Sequence, residues 1–131
     1  MSFKQAVSTC FARYADFTGR ARRSEYWYWV LFNLGAAIAA RGLDYAVFRD
    51  SGLHPTASIY GLVVLLPGIA VTVRRLHDTD YSGWWLLLGL VPLFGAIILL
   101  VWLIKAGTAG ANRFGPDPLA GSGVADAPAA V

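Results

Sequence analysis

Charge is what this sequence has least of. Asp, Glu, Lys and Arg make up 15% of its 131 residues, where a soluble domain carries about 25%. They are also clustered, so long stretches carry none. Apolar residues reach 56%. So little polar surface cannot cover a water-facing globule, which excludes a soluble domain and leaves lipid to cover part of the chain. Cysteine is nearly absent, and Cys10 alone excludes an internal disulfide. The two histidines, His54 and His77, fall on opposite sides of an apolar run. One imidazole beside Asp78 and Asp80 is not a closed ligand set, so neither a metal nor a cofactor is expected. No nucleophile elbow or third orienting group accompanies Ser82 or Cys10 with His77, so an enzyme is not expected. A secretory signal peptide is not expected either, because the first apolar run starts only at Tyr26 and is long enough to stay in a membrane.

What is present fits an all-α integral membrane protein, with residues 1–119 as a single membrane domain and 120–131 as a disordered tail. Residues 2–18 place Phe3, Val7, Cys10, Phe11, Tyr14 and Phe17 at helical spacing, with Lys4, Gln5, Ser8, Arg13 and Asp16 elsewhere. That pattern predicts an amphipathic helix, either lying in the headgroup layer or packed on the protein's own spans. Gly19 is its expected stop. Three apolar runs follow, at about 26–48, 56–73 and 84–104, each predicted as a transmembrane helix. Ser24 is placed to cap the first. Pro67 and Pro92 cannot donate to the carbonyls of Val63 and Leu88, so each predicts a kink and a free acceptor. Beyond Lys105, Gly107, Gly110, Asn112, Gly115, Pro116 and Pro118 describe a turn-rich segment over 105–119.

The cations set the threading. Lys4, Arg13, Arg20, Arg22 and Arg23 precede the first run, and Arg74 and Arg75 follow the second, whereas only Arg41 and Arg49 lie between the two. The positive-inside rule therefore predicts a multi-pass membrane protein with its amino terminus and the hinge after the second run in the cytoplasm. The third run is long enough for a further crossing. A re-entrant hairpin broken at Pro92–Gly95 would suit the charge rule better, but non-helical backbone is costly in lipid. A crossing is the favoured expectation. The net charge of +3 sits beside apolar spans rather than along a soluble face, which predicts anionic lipid headgroups as partners and not nucleic acid.

Two groups of polar residues invite a functional reading. The hinge Arg74 to Gly83 should meet Arg20 to Glu25 at one membrane level. Arg74 and Asp78 are four apart and can pair on one helix face, so Glu25, Arg74, His77, Asp78 and Asp80 are expected to form an ion network clamping the helices. The sharper alternative is that Arg20, Arg22, Arg23, Arg74 and Arg75 offer guanidinium forks to a lipid phosphate or a partner protein. The clamp is favoured. Within the first span lie Asn33, Arg41 and Asp44. Ionisable residues inside a membrane invite a transport hypothesis, here a small oligomeric channel or transporter. Mutual pairing of Arg41 with Asp44, with Asn33 as interhelical glue, is the simpler expectation. Gly35, Ala36, Ala39 and Ala40 give a small-residue face suited to a homo-oligomer seam.

Three motifs occur in order: Gly19-Arg20-Ala21-Arg22-Arg23-Ser24-Glu25-Tyr26-Trp27, then Arg74-Arg75-Leu76-His77-Asp78 with Ser82-Gly83-Trp84-Trp85, then Gly107 through Asn112-Arg113-Phe114-Gly115-Pro116-Asp117-Pro118. Over about Phe11 to Leu119 the chain resembles the small bacterial inner-membrane proteins grouped as domain of unknown function 805. The resemblance implies a multi-pass inner-membrane protein and brings no catalytic residues.

Overall fold

The computed structural model describes residues 1–119, and the expected disordered tail lies outside the described residues. Among the described residues the chain is helical, and its one extended pairing is an isolated bridge between Asn112 and Gly115.

Helix α1, Phe3–Ala12, starts at a reciprocal cap in which Ser2 and Gln5 each bond the other's backbone amide. It ends earlier than the apolar spacing predicts. Residues 13–18 instead wrap around Asp16, whose carboxylate accepts from the Thr18 hydroxyl at 2.5 Å, the Thr18 amide at 2.9 Å and Arg13 Nε at 2.8 Å. Local side-chain bonds of this kind compete with helix. They also hold the Asp16 carboxyl well below the usual carboxylate range. Gly19 is therefore a turn residue with φ +81° rather than the helix cap. One face of α1 is packed on the protein itself, with Ala6 and Cys10 fully buried, and Phe11 meets Trp29 edge-to-face at 5.2 Å.

Helices α2, Arg23–Val47, and α3, Pro55–Asp78, are each long and apolar enough to cross a membrane. Their 25 and 24 residues span about 37 and 36 Å at helical rise. They run antiparallel, with Glu25 opposite Arg74, Asn33 opposite Tyr60 and Asp44 opposite Thr56. The end bearing Arg23 and Asp78 is called proximal below. Pro67 stays inside α3, and the carbonyl it frees on Val63 accepts the Tyr14 hydroxyl at 2.5 Å. The acceptor expected from the proline is thus supplied from the segment after α1. Added Cβ atoms at Gly35, Gly42 and Gly61 would meet nothing within 4 Å, so these small positions are not packed within the chain.

The third apolar run departs from expectation, for it is not one helix. It forms a 3-10 helix, Gly83–Leu90, and then α4, Phe94–Ile104. Pro92 cannot continue the hydrogen-bond ladder, and Leu93 turns the chain at φ 64° and ψ −62°, with Phe94 N bonding Pro92 O at 2.7 Å. The Leu88 carbonyl, expected to be free, accepts from Val91 N at 2.9 Å. Both ends of the run return to the proximal end of α3. Gly83 sits so close to Val73 that an added Cβ would lie 2.7 Å from its Cγ1, while the carbonyls of Leu103 and Lys105 meet Arg75. The 11 residues of α4 reach about 16 Å, roughly half of a ~30 Å hydrocarbon core. The run folds back on itself as a short hairpin.

Gly95 allows the hairpin to close, since a Cβ there would lie 1.6 Å from the Leu88 carbonyl oxygen, whereas one at Gly89 would meet Leu99 Cδ1 at an ordinary 3.6 Å. Gly95→Ala should cost about 1–3 kcal/mol, the range of forced overpacking, and lower the midpoint of thermal unfolding in detergent. Gly89→Ala should leave that midpoint where it is.

Candidate functional site

The proximal end holds the densest polar cluster of the molecule. Three arginines are buried there, Arg20, Arg74 and Arg75, together with Glu25, His77 and Asp78. Removing a guanidinium from water without partners is prohibitive, so burial forces each to find acceptors. Asp78, at the end of α3, is the pivot. Its Oδ1 accepts Arg20 Nε at 2.9 Å and its Oδ2 accepts Arg75 Nη1. One carboxylate therefore holds one arginine from the loop before α2 and another from its own helix. Gly107 packs directly against it, because a Cβ there would fall 2.0 Å from Asp78 Oδ2.

The remaining donors of Arg20 and Arg75 go to backbone carbonyls. Arg75 Nε donates to Leu103 O at 3.1 Å, Nη1 also reaches Ala21 O at 3.3 Å, and Nη2 donates to Lys105 O. The last carbonyls of α4 are orphaned by geometry, and a cation there also opposes the negative end of the helix dipole. Trp27 Nε1 adds a bond to Leu103 O at 3.3 Å. Arg20 Nη1 donates to Gly110 O at 2.6 Å, and Nη2 donates to Thr108 O at 2.5 Å. Only the planar five-donor fork of arginine fits this many divergent acceptors. Asp117 lies 4.0 Å from Arg20 Nη2. Burial pushes its carboxyl up, but the Leu119 and Gly110 amides and Arg20 outweigh that and hold it below its ordinary range. Residues 105–119 are thus docked on the cluster rather than loose, with Asn112 Nδ2 donating to His77 O and Thr108 N to Asp78 O.

Arg74 pairs with Glu25 at 2.5 Å, and the Cys10 thiol lies 3.8 Å from the same Glu25 oxygen. This second buried pair ties α1, α2 and α3 together. Burial first, and the Glu25 charge second, push the Cys10 thiol up to about 12. Arg74 Nε and Nη2 are buried without partners among the described residues. His77 donates through Nδ1 to Gly19 O at 2.9 Å and stacks on Phe114 with ring centres 3.9 Å apart.

Several pairings differ from those expected. Arg74 pairs with Glu25 and not with Asp78, which takes Arg75 three residues away and Arg20 instead. Asp80 stands outside the buried network and meets Arg113 at 3.2 Å on the exposed surface. Ser24 does not cap α2, since Arg22 occupies the cap position and the Ser24 hydroxyl is buried without a partner. Of the arginines expected to face a headgroup, Arg20, Arg74 and Arg75 are buried and turned inward, while Arg23 is exposed and Arg22 half-buried. At the far end Arg41 and Asp44 do not pair. Asp44 is buried and accepts from the amides of Thr56 and Ala57 at 3.0 and 2.9 Å, supplying the α3 amino terminus with the capping carboxylate it otherwise lacks. Arg41 is exposed and makes no ion pair among the described residues. Asn33 bridges Trp29 O and the Tyr60 hydroxyl between α2 and α3. Sequence reasoning gave Tyr14 and Cys10 no site role. Only the third motif, Gly107 to Pro118, hinted that the last described segment is specific.

Asp78→Asn removes the charge shared by two buried arginines and should destabilise the protein by about 3–5 kcal/mol, the cost of breaking a buried pair. Asp80→Asn breaks only an exposed pair and should cost less than about 1 kcal/mol. Chemical denaturation followed by circular dichroism separates the two. At pH 8 the Cys10 thiol is buried and protonated, since pH 8 lies well below about 12. The folded protein should therefore resist maleimide and take up one label only after unfolding, as read by mass.

The family described as protein of unknown function, DUF805, matches residues 14–116. The chain is 49% identical over 107 residues to the inner membrane protein YhaH of Escherichia coli K12, covering 80% of this chain and 88% of that protein. It is 45% identical over 111 residues to the inner membrane protein YhaI of the same organism, covering 83% and 91%. An uncharacterized protein of that organism, YiiR, is 32% identical over 93 residues, covering 70% of this chain and 55% of YiiR. No solved structure matches. The chain belongs to the DUF805 family.

Proposed function

We propose that this chain is a non-enzymatic, multi-pass protein of the inner membrane. In this reading its buried arginine network clamps the helices on the cytoplasmic side, and its outward arginines bind anionic lipid or a partner protein. The division among the arginines carries it. Arg20, Arg74 and Arg75 are turned inward onto carboxylates and carbonyls, which supports a structural clamp, and this leaves Arg22 and Arg23 for an external ligand. Their position at the start of an apolar helix, beside Trp27 and Tyr28, suits the headgroup boundary. The short hairpin supports a topology with two crossings, in which both the amino terminus and residues 105–119 face the cytoplasm. That topology also satisfies the charge rule for Lys105 and Arg113. The polar atoms of Asn33 and Asp44 are engaged within the fold, which favours structural use over a conducting path through them.

A fluorescent protein fused after Asp117 should be bright in cells, and alkaline phosphatase at the same point inactive; the opposite pair of results would sink the two-crossing topology. In native mass spectrometry of the full-length protein, the double variant Arg22→Ala/Arg23→Ala should lose retained phosphatidylglycerol. Arg113→Ala, at an exposed surface pair, should keep it.

A further inference from the structure

Beside Arg23 the start of α2 and the end of α4 leave a groove of about 560 Å³ lined by Arg23, Ser24, Trp27, Tyr28 and Ile104. Its walls are graded. At the proximal rim stands the exposed Arg23 guanidinium, whose one bond is a long 3.4 Å contact to Ile104 O, so most of its donors are free. The first amides of α2 receive no side-chain cap, and the Ser24 hydroxyl is buried with no partner among the described residues. Deeper along α2 come Trp27 and Tyr28, facing the apolar end of α4. Trp27 is fixed by its indole bond to Leu103 O at 3.3 Å, and Tyr28 by edge-to-face contact with Phe3 at 5.8 Å. Positive charge and hydrogen-bond donors at the rim, with an apolar slot beside them lined by Trp27, Tyr28 and Ile104, match an amphiphile with an anionic head and a hydrocarbon tail. A free phosphate would satisfy the rim alone, and an uncharged lipid the slot alone.

We propose that this groove is a binding site for one anionic phospholipid, with the phosphate on Arg23 and the uncapped start of α2 and the upper acyl chain between Trp27, Tyr28 and Ile104. The proposal rests on the reading of Arg22 and Arg23 as the outward ligand-binding arginines, and it fixes the ligand as a lipid and the seat as this groove. The inward arginines take no part. Phosphate oxygens suit a guanidinium fork and a helix amino terminus alike, and the aromatic pair sits at the depth where tryptophan and tyrosine settle.

The full-length protein, purified in detergent and titrated with dioleoyl phosphatidylglycerol or dioleoyl phosphatidylcholine, tests this by native mass spectrometry. Wild type should retain one phosphatidylglycerol at least about tenfold more strongly than phosphatidylcholine, the ratio expected for one charge-assisted contact. Arg23→Ala should remove that preference, and Ile104→Trp, which fills the slot without touching the charge, should remove retention of both lipids. Each variant is checked for wild-type helicity and melting, and Arg23→Lys, which keeps the charge, should recover part of the preference if Arg23→Ala fails to fold. Loss of the preference in Arg23→Ala with unchanged retention in Ile104→Trp would place the lipid on the arginine face but overturn the groove. Unchanged preference in Arg22→Ala/Arg23→Ala would overturn both. Displacement of bound phosphatidylglycerol by millimolar inorganic phosphate would show that the slot contributes nothing, and would overturn the lipid as occupant.

Discussion

A guanidinium cannot be buried and left alone, and this constraint organises the proximal half of the molecule. Three arginines sit where water is largely excluded. Each therefore draws in whatever acceptors are within reach: two carboxylates and the spare carbonyls of the loop before α2, the end of α4 and the segment after it. Asp78 is the point where these demands meet. Because it binds Arg20 and Arg75 through different oxygens, α3, the loop before α2 and residues 105–119 share one charge-balanced junction. Such networks contribute less to net stability than their number suggests, since desolvation offsets much of the Coulomb gain. Their consequence here is geometric. Register between the segments is fixed, because any slip would strand a buried charge.

The same accounting of polar groups explains features far from the cluster. A helix in a low-dielectric setting must dispose of its end groups and of any carbonyl a proline leaves free. The chain does this with remote side chains. Tyr14 serves the Val63 carbonyl opposite Pro67, Asp44 serves the first amides of α3, and Trp27 and Arg75 serve the end of α4. Each solution also ties two elements together, so satisfying backbone polarity and assembling the bundle are a single process. The hairpin follows this rule too. Its break at Pro92 is bridged by 3-10 and γ-turn bonds, and its closing end is met by arginine.

Once the inner arginines are committed, the outer ones acquire meaning. Arg23 belongs to the same basic run as Arg20, but it is exposed, its one hydrogen bond among the described residues is the long contact to Ile104 O, and it shares a groove with Trp27 and Tyr28. A short basic motif is thereby divided between two tasks. One member is held by carboxylates and carbonyls, and the other is exposed.

The sequence by itself determined the helical membrane class, the positions of α2 and α3 to within a few residues, and the meeting of Arg20–Glu25 with Arg74–Asp78. Each of these follows from one-dimensional quantities: run length, charge spacing and the direction of threading. Polar partners were legible only coarsely. Asp78 was readable as a clamp residue, yet helical spacing alone could not distinguish Arg74 from Arg75, since both lie within one turn and only the neighbouring helix decides which faces Glu25. Arg41 and Asp44 looked like a pair for the same reason, until the amino terminus of α3 proved the stronger claimant on the carboxylate. The third run was the hardest to read. Its 21 uncharged residues suffice for a crossing, and length carries no information about folding back. What turned it was the close approach at Gly95 together with the pull of Arg75 on its far end, and both are facts of tertiary structure.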